Sequence, residues 1–252
     1  MRALVREVSP DLAHCELTYL ERLSIDGERA RGEHAGYVQA LRAAGCELEW
    51  LPPLPEHADG VFVEDTAVVL PELAVIARPG AASRRGETET VSKALGRYRT
   101  LARLTAPACL EGGDVLHIGR TLFVGVSGRT NAAGVQQLSR ALAPHGYRVQ
   151  PLEVRGCLHL KSACTFIAPD ILLVNPDWVD VAAFGVARVI TVDPGEPHGA
   201  NTLTIAGTTL VSTAFPQTAQ RLSAAGVHCL PLEVRELQKA ESALTCMSLI
   251  LS

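Results

Sequence analysis

The sequence predicts an α/β chain of five ββαβ modules closed into a pseudosymmetric ring of the propeller kind. Three observations lead there. Three helix-like segments share one ending: LRAAGCELEWLPPL around Gly45, LAPHGYRVQPLEVR around Gly146 and LSAAGVHCLPLEVR around Gly226, with PLEVR recurring verbatim at 151 to 155 and 231 to 235. Pairs of short β-rich runs, each split by turn residues, lie upstream of such helices. Glu64, Glu111, His159, Asn201 and Cys246 stand at corresponding entries to the first run of each pair, spaced by 47, 48, 42 and 45 positions. One module of that length cannot cover its own apolar face, whereas a closed ring can.

The β-rich pairs follow in order. FVEDTAVVL and LAVIARPG flank Pro71-Glu72, GGDVLHIG and TLFVGVS flank Arg120, ACTFIA and ILLVNP flank Pro169-Asp170, and NTLTIA and TLVST flank Gly207-Thr208. β-branched residues bounded by Gly, Pro and Asp signal hairpins. The last run, CMSLILS, finds a partner in RALVREV at the other end of the chain and so closes the ring. In RRGETETVSKALGRY, Val91, Ala94, Leu95 and Tyr98 follow helical spacing, as do Val135, Leu138 and Leu142 in TNAAGVQQLSRALAPHG. Neither helix is apolar all round, so both belong on the outside of the ring. The three segments around Gly45, Gly146 and Gly226 are each expected to be a helix stopped by that glycine and followed by a strand.

With 252 residues, the chain is read as a single catalytic domain spanning 1–252. Lys plus Arg number 23 against 27 Asp plus Glu, a net charge of −4 that argues against nucleic acid or an anionic membrane as partner. Arg2, Arg6 and Glu7 interrupt what would be the apolar core of a leader, and no apolar run reaches the ~18 residues of a spanning helix. The seven cysteines lack C-x-x-C spacing, which fits reduced thiols in the cytoplasm, not a disulfide framework or zinc ribbon. Cys157, His159 and Cys164 have no standard ligand spacing, and no metal is expected.

Ring closure would bring a thiol, an imidazole and several carboxylates to one centre, the parts of a cysteine nucleophile with an acid/base partner and a cation pocket. Read alone, Cys246 suits a small buried hydrophobe as well as a nucleophile, and His159 in GCLHLKSAC suits a carbonyl-bonded histidine as well as a general acid and base. Glu111 and Asp114 in LEGGD suit a tight turn around two glycines. FVED is read as the head of its strand, Phe62 and Glu64 on one face and Val63 and Asp65 on the other. Adjacent acids in that apolar context call for cationic partners, and several carboxylates can hold a planar guanidinium. Arg84-Arg85 and Arg129 suit helix starts on the surface, with Thr130 or Asn131 as an N-cap; turned to the axis, they would suit a substrate carboxylate. Acids at one end and arginines at the other describe a pocket for an amino acid with a guanidino tail.

Taken together, DGVFVED (59–65), RPGAASRRGE (78–87), LEGGD (110–114), GRTN (128–131), LHLKS (158–162) and LTCMS (244–248) resemble, in order and over almost the whole chain, the dimethylarginine dimethylaminohydrolase family of guanidino-group-modifying enzymes. The resemblance implies a five-bladed α/β propeller. It implies Cys246 as nucleophile, His159 as general acid and base, and Glu111 as the acid orienting the histidine. Asp59, Glu64 and Asp65 match the guanidinium-binding acids, and Phe62 lines their pocket. Arg84 and Arg129 match the arginines that hold the substrate's α-carboxylate, and Leu17 matches an apolar lid residue. The implied reaction converts Nω-methylated arginines to citrulline and the methylated amine through a covalent thiouronium, with no cofactor. A small-molecule substrate and a monomer or homodimer go with it.

Related deiminases carry H-x-D at the histidine, where this chain has His159-Leu160-Lys161, and arginine deiminases tend to have arginine where this chain has Glu64. One acid fewer leaves room for N-methyl groups, so a methylated guanidine is expected. Two alternatives stand beside it: a deiminase acting on arginine or another guanidine, and a non-catalytic propeller that binds a partner. His198 in HGAN is read as a surface or rim residue.

Overall fold

The computed structural model describes residues 1–167 and 169–251. Strand β1 (Arg2–Val5) leads through helix α1 (Gly27–Ala43) to β2 (Glu47–Trp50). The hairpin β3 (Ala67–Val69) and β4 (Leu73–Ile76) continues through α2 (Thr88–Leu95) to β5 (Thr100–Arg103). The next pair, β6 (Val115–Ile118) and β7 (Thr121–Val126), leads through α3 (Ala132–Leu142) to β8 (Arg148–Glu153). A short helix α4 (Leu160–Ala163) introduces β9 (Cys164–Ile167) and β10 (Ile171–Val174), followed by β11 (Arg188–Thr191). The last hairpin, β12 (Leu203–Ile205) and β13 (Thr208–Ser212), passes through α5 (Pro216–Ala224) to β14 (Cys229–Leu232), and then come α6 (Arg235–Gln238) and β15 (Leu249–Leu251).

These strands form five three-stranded sheets of one design. In each, the middle strand runs antiparallel to the first strand of its hairpin and parallel to the strand that returns after the crossover. The first sheet takes its hairpin partner from the other end of the chain: β15 lies antiparallel to β1, with Arg2 opposite Leu251 and Leu4 opposite Leu249. CMSLILS therefore pairs with RALVREV as the sequence predicts.

The crossovers explain the shared endings. Gly45, Gly146 and Gly226 take φ of +85°, +75° and +88°, a left-handed turn that costs little without a Cβ and redirects the chain into a strand. The fourth crossover differs from the predicted ββαβ unit. Between β10 and β11 the chain makes only a 3₁₀ turn at Val181–Phe184, because Pro176 and Gly185 bracket a segment too short and too interrupted for a helix.

Apolar side chains gather in clusters that each span two neighbouring sheets. Leu4, Leu249 and Leu251 meet Ala74 and Ile76. Val75 meets Leu122 and Val124, Phe123 meets Leu172 and Val174, and Leu173 meets Val211. Ile205 and Leu210 pack back against Ala3 and Val5 of the first sheet. Val91, Ala94 and Leu95 of α2 and Val135, Leu138 and Leu142 of α3 are the buried faces expected from their spacing. Among the described residues, no helix is long and apolar enough to cross a membrane, and all seven cysteines are free.

Because Leu249 is 4% exposed and joins the first sheet to the second, Leu249→Ala should lower stability by about 3 kcal/mol and thermal unfolding should show a clear drop in Tm. An unchanged Tm would mean that the terminal strand is not part of the cooperative core.

Candidate active site

The chemistry-bearing residues stand where the chain turns into the first strand of each sheet. FVED does not begin a strand, contrary to the sequence reading; Val63–Thr66 is a 3₁₀ turn before β3. The turn lets Glu64 and Asp65 both face inward, where strand alternation would have separated them. Glu111 likewise precedes the 3₁₀ turn Gly112–Asp114 ahead of β6, and His159 is the N-cap residue of α4 ahead of β9. Asn201 and Cys246 lie just before β12 and β15. The entries are tied to one another: the Glu64 N–H donates to the Cys246 carbonyl at 3.0 Å, and Asn201 accepts from the Thr245 N–H and donates to the Lys161 carbonyl, each at 3.0 Å.

His159 is the centre of a buried charge network. Its Nε2 bonds Glu111 Oε2 at 2.7 Å, and its Nδ1 lies 3.9 Å from Asp65 Oδ1. Burial disfavours the imidazolium, but the Asp65, Asp114 and Glu111 carboxylates outweigh it and lift the histidine to about 9. Burial alone would raise Asp65 and Glu111 too, yet the cationic ring holds both below their usual range, with Arg84 assisting. Gly113 makes this approach possible, since a Cβ there would stand 2.6 Å from His159 Nδ1.

Each acid has a defined partner. Asp65 accepts from Arg84 Nη1 at 2.6 Å and from the Gly113 N–H at 3.0 Å. Glu111 Oε1 accepts from the Gly80 N–H at 3.0 Å and lies 3.6 Å from Arg129 Nη1. Glu64 accepts from Lys161 Nζ and from the Thr245 hydroxyl, both at 2.6 Å. Asp59 accepts the Glu16 N–H at 3.1 Å, and among the described residues no cation donates to its carboxylate. Burial accordingly lifts it to about 6, against a lowering by Arg84. Cys246 is 9% exposed, and burial, reinforced by Glu64 and Asp65, pushes its thiol well above the ordinary range. The Ala243 N–H points at its sulfur from 3.4 Å.

Asp59, Phe62, Asp65, Arg84, Arg129, His159 and Cys246 line one cavity of about 10 Å³. A second, of about 180 Å³, opens from Cys246 past Leu158 toward Tyr19, Phe215 and His198, placing His198 on a rim as expected. Glu64 lines neither; with Lys161 and Thr245 it borders a separate space of about 250 Å³ among the first strands of the hairpins and β15. Leu17 is half-buried against the core and does not line the smaller cavity, which Glu16 of the same segment does. Arg84 and Arg129 are buried, not surface helix starts, while Asn131 is the N-cap of α3 through its bond from the Gly134 N–H. Arg84 is engaged by Asp65, by Glu87 at 2.9 Å and by the Phe62 carbonyl at 2.9 Å.

Sequence reasoning did not single out Lys161, Thr245, Glu87 or Asp114 for the site. Asp114 takes the Leu160 N–H at 3.0 Å and the Ser127 hydroxyl at 2.6 Å, anchoring the backbone beside His159. Its place in LEGGD was the available signal; Lys161 and Thr245 pair with Glu64, which is remote in sequence, and Glu87 pairs with Arg84 three positions before it. Among the described residues, the group whose donor atoms could surround a metal is Asp65, Glu111 and His159, but the ring bonds Glu111 and the Arg84 guanidinium bonds Asp65.

A raised folded-state pKa makes His159 stabilising below its unfolded value near 6.5, with that contribution lost as pH rises through about 9. NMR titration should find this ring protonated through neutral pH, and Glu111→Gln should move its midpoint down. A midpoint near 6.5 in the unmutated protein would contradict the network.

A family model described as N,N dimethylarginine dimethylhydrolase, eukaryotic, matches residues 18–184. The N(G),N(G)-dimethylarginine dimethylaminohydrolase of Streptomyces coelicolor is 40% identical over 249 residues, 98% of this chain and 95% of that protein. A solved structure of DDAH from Pseudomonas aeruginosa, a cysteine-to-serine mutant complexed with citrulline, is similar with a TM-score of 0.94 at 28% identity and covers 98% of each chain. An arginine deiminase from Mycolicibacterium gilvum is 28% identical, covering 97% of this chain and 73% of that protein. With that likeness along nearly its full length, this chain belongs to the dimethylarginine dimethylaminohydrolase family.

Proposed function

We infer that the protein is a hydrolase that converts Nω-methylated arginines, asymmetric dimethylarginine and monomethylarginine, to citrulline and the methylated amine. The observation that carries the reading is the convergence of Cys246, His159 with Glu111, and Asp59 with Asp65 on one buried cavity in a chain of this family. The fold that goes with it is a five-bladed pseudosymmetric α/β propeller forming one catalytic domain over 1–252. The five like sheets and the packing of the last against the first support it. Such an enzyme works in the cytoplasm on a small-molecule substrate, as a monomer or homodimer.

Cys246 is the nucleophile. In the free protein its thiol is neutral, because burial and the nearby Glu64 and Asp65 oppose a thiolate. A guanidinium entering beside Asp59 and Asp65 brings the missing positive charge, and the Ala243 N–H gives the sulfur a donor. With that charge beside it the thiol releases its proton to solvent, and the resulting thiolate attacks the guanidinium carbon. His159, already protonated, donates to the departing amine and leaves a thiouronium on Cys246. The neutral ring then removes a proton from water, whose attack releases citrulline and restores the thiol. Glu111 orients the ring throughout, and Arg129 with Arg84 is the arginine pair for the substrate's α-carboxylate.

A deiminase acting on unsubstituted arginine is the second reading, supported by the relatives of that activity. The Lys161 ammonium weighs against it, because it replaces the second acid of H-x-D and neutralises Glu64. A non-catalytic propeller has no use for a thiol, an imidazole and acids collected on one cavity.

Incubation with asymmetric dimethylarginine should release dimethylamine and citrulline; release of ammonia from arginine, with the methylated substrate untouched, would favour the deiminase. Cys246→Ser should lower kcat by about a thousandfold or more while leaving Tm unchanged. Undiminished turnover would remove Cys246 from the reaction.

A further inference from the structure

The cavity between Cys246 and His159, about 10 Å³, has room for about one water, which needs roughly 10–15 Å³. That space is smaller than a guanidino group, and the larger cavity of about 180 Å³ meets it at Cys246. Glu16 lines the smaller cavity, and Tyr19 and Leu20 line the larger one beside it, in a strap of irregular chain, residues 16–20, drawn across from the first module. The Glu16 N–H donates to Asp59, the Ser83 hydroxyl bonds Glu16, and Arg129 Nη2 donates to the Thr18 hydroxyl at 3.1 Å. The remaining hold is a single carboxylate. Glu241 accepts three consecutive backbone N–H groups, Thr18 at 2.7 Å, Tyr19 at 2.5 Å and Leu20 at 2.6 Å.

Three successive amides converging on one carboxylate form an anion-binding nest, and charge-assisted bonds of this kind are stronger than neutral ones. The backbone of Glu241 has φ of +52°, a left-handed conformation that residues with a Cβ avoid. Apart from the glycines, Ala206 is the other described residue with positive φ, and it forms a tight hairpin turn with Gly207 where such angles are required. Glu241 is in no hairpin. A strained position that retains a glutamate when glycine would fit better points to a use for the side chain. Its location agrees: it lines both cavities that meet at Cys246, and it precedes the nucleophile by five positions, in the loop whose Ala243 N–H faces the sulfur.

We propose that Glu241 is a positioning residue for substrate capture: it latches the 16–20 strap over the Cys246 cavity, and the latch opens to admit a guanidino amino acid and closes again behind it. This rests on the hydrolase reading above. Closure excludes bulk water and holds the Arg129 side of the pocket against the bound amino acid. The latch also links the first module to the loop that carries the nucleophile, so strap and thiol are set together.

Glu241→Gly tests this without a folding artefact, because glycine suits the backbone angle while removing the latch. Its melting temperature should equal or exceed that of the unmutated protein. The amides of Thr18, Tyr19 and Leu20 should exchange with deuterium at least about tenfold faster, and KM for asymmetric dimethylarginine should rise about tenfold with kcat much less affected. Glu241→Gln, which keeps one acceptor oxygen, should fall between the two. Unchanged exchange and unchanged KM in both variants would overturn the proposal. So would a fall in melting temperature with kcat and KM degraded together, since that marks a residue acting on the fold. Should the unmutated protein turn over no guanidine, the hydrolase reading fails, and the exchange rates alone still decide whether Glu241 holds the strap.

Discussion

The constraint on which the site depends is the balance of buried charge at the meeting point of the modules. Glu64, Asp65, Glu87, Glu111 and Asp114 are all nearly inaccessible to water. An unpaired buried carboxylate costs several kcal/mol, so each needs a cation or a set of donors. Arg84 serves Asp65 and Glu87, Lys161 serves Glu64, and the imidazolium of His159 serves Glu111 and, at longer range, Asp65. Asp114 is held by hydroxyl and backbone donors, and burial still lifts it above its usual value. Asp59 accepts an amide donor, and burial lifts it to about 6 against a lowering by Arg84.

That balance gives the site its order of events. A neutral thiol and a charged imidazole in the same cavity are the reverse of the pre-formed thiolate–imidazolium pair in which a cysteine has been depressed by its histidine. Here the histidine's charge is balanced by carboxylates, and burial together with the nearby Glu64 and Asp65 keeps the thiol protonated. On the proposed mechanism, positive charge comes from the substrate before the sulfur reacts, so selectivity for a guanidinium and activation of Cys246 have one cause, and a neutral electrophile that merely fits gains little.

Much of this was legible in the sequence. The five entry positions with spacings of 42 to 48, the repeated glycine-stopped helices and the pairing of the two termini specify sheets and their order without coordinates. Local rules sufficed for four of the modules because each is a contiguous stretch of chain, while the first is completed by β15 from the other end. The fourth crossover broke the pattern where Pro176 and Gly185 interrupt it. At FVED, alternation misled because a 3₁₀ turn precedes the strand and turns both acids inward. The residues that complete the charge balance were harder to find. Lys161 meets Glu64 from 97 positions away and Thr245 meets it from 181, distances over which no periodicity carries information. Glu241 was invisible for the same reason, since its partners lie more than 220 positions earlier in the chain.

On the proposed mechanism, a guanidinium in the cavity is what ionises Cys246. The direct measurement is the ionisation of that thiol, followed by thiolate ultraviolet absorbance against pH in a protein whose other cysteines are replaced, with and without a bound non-reactive guanidinium amino acid. The thiol should stay protonated well past neutral pH in the free protein and ionise at distinctly lower pH once the cation is bound. A thiolate already formed at neutral pH without ligand, or a midpoint that the ligand does not move, would contradict it.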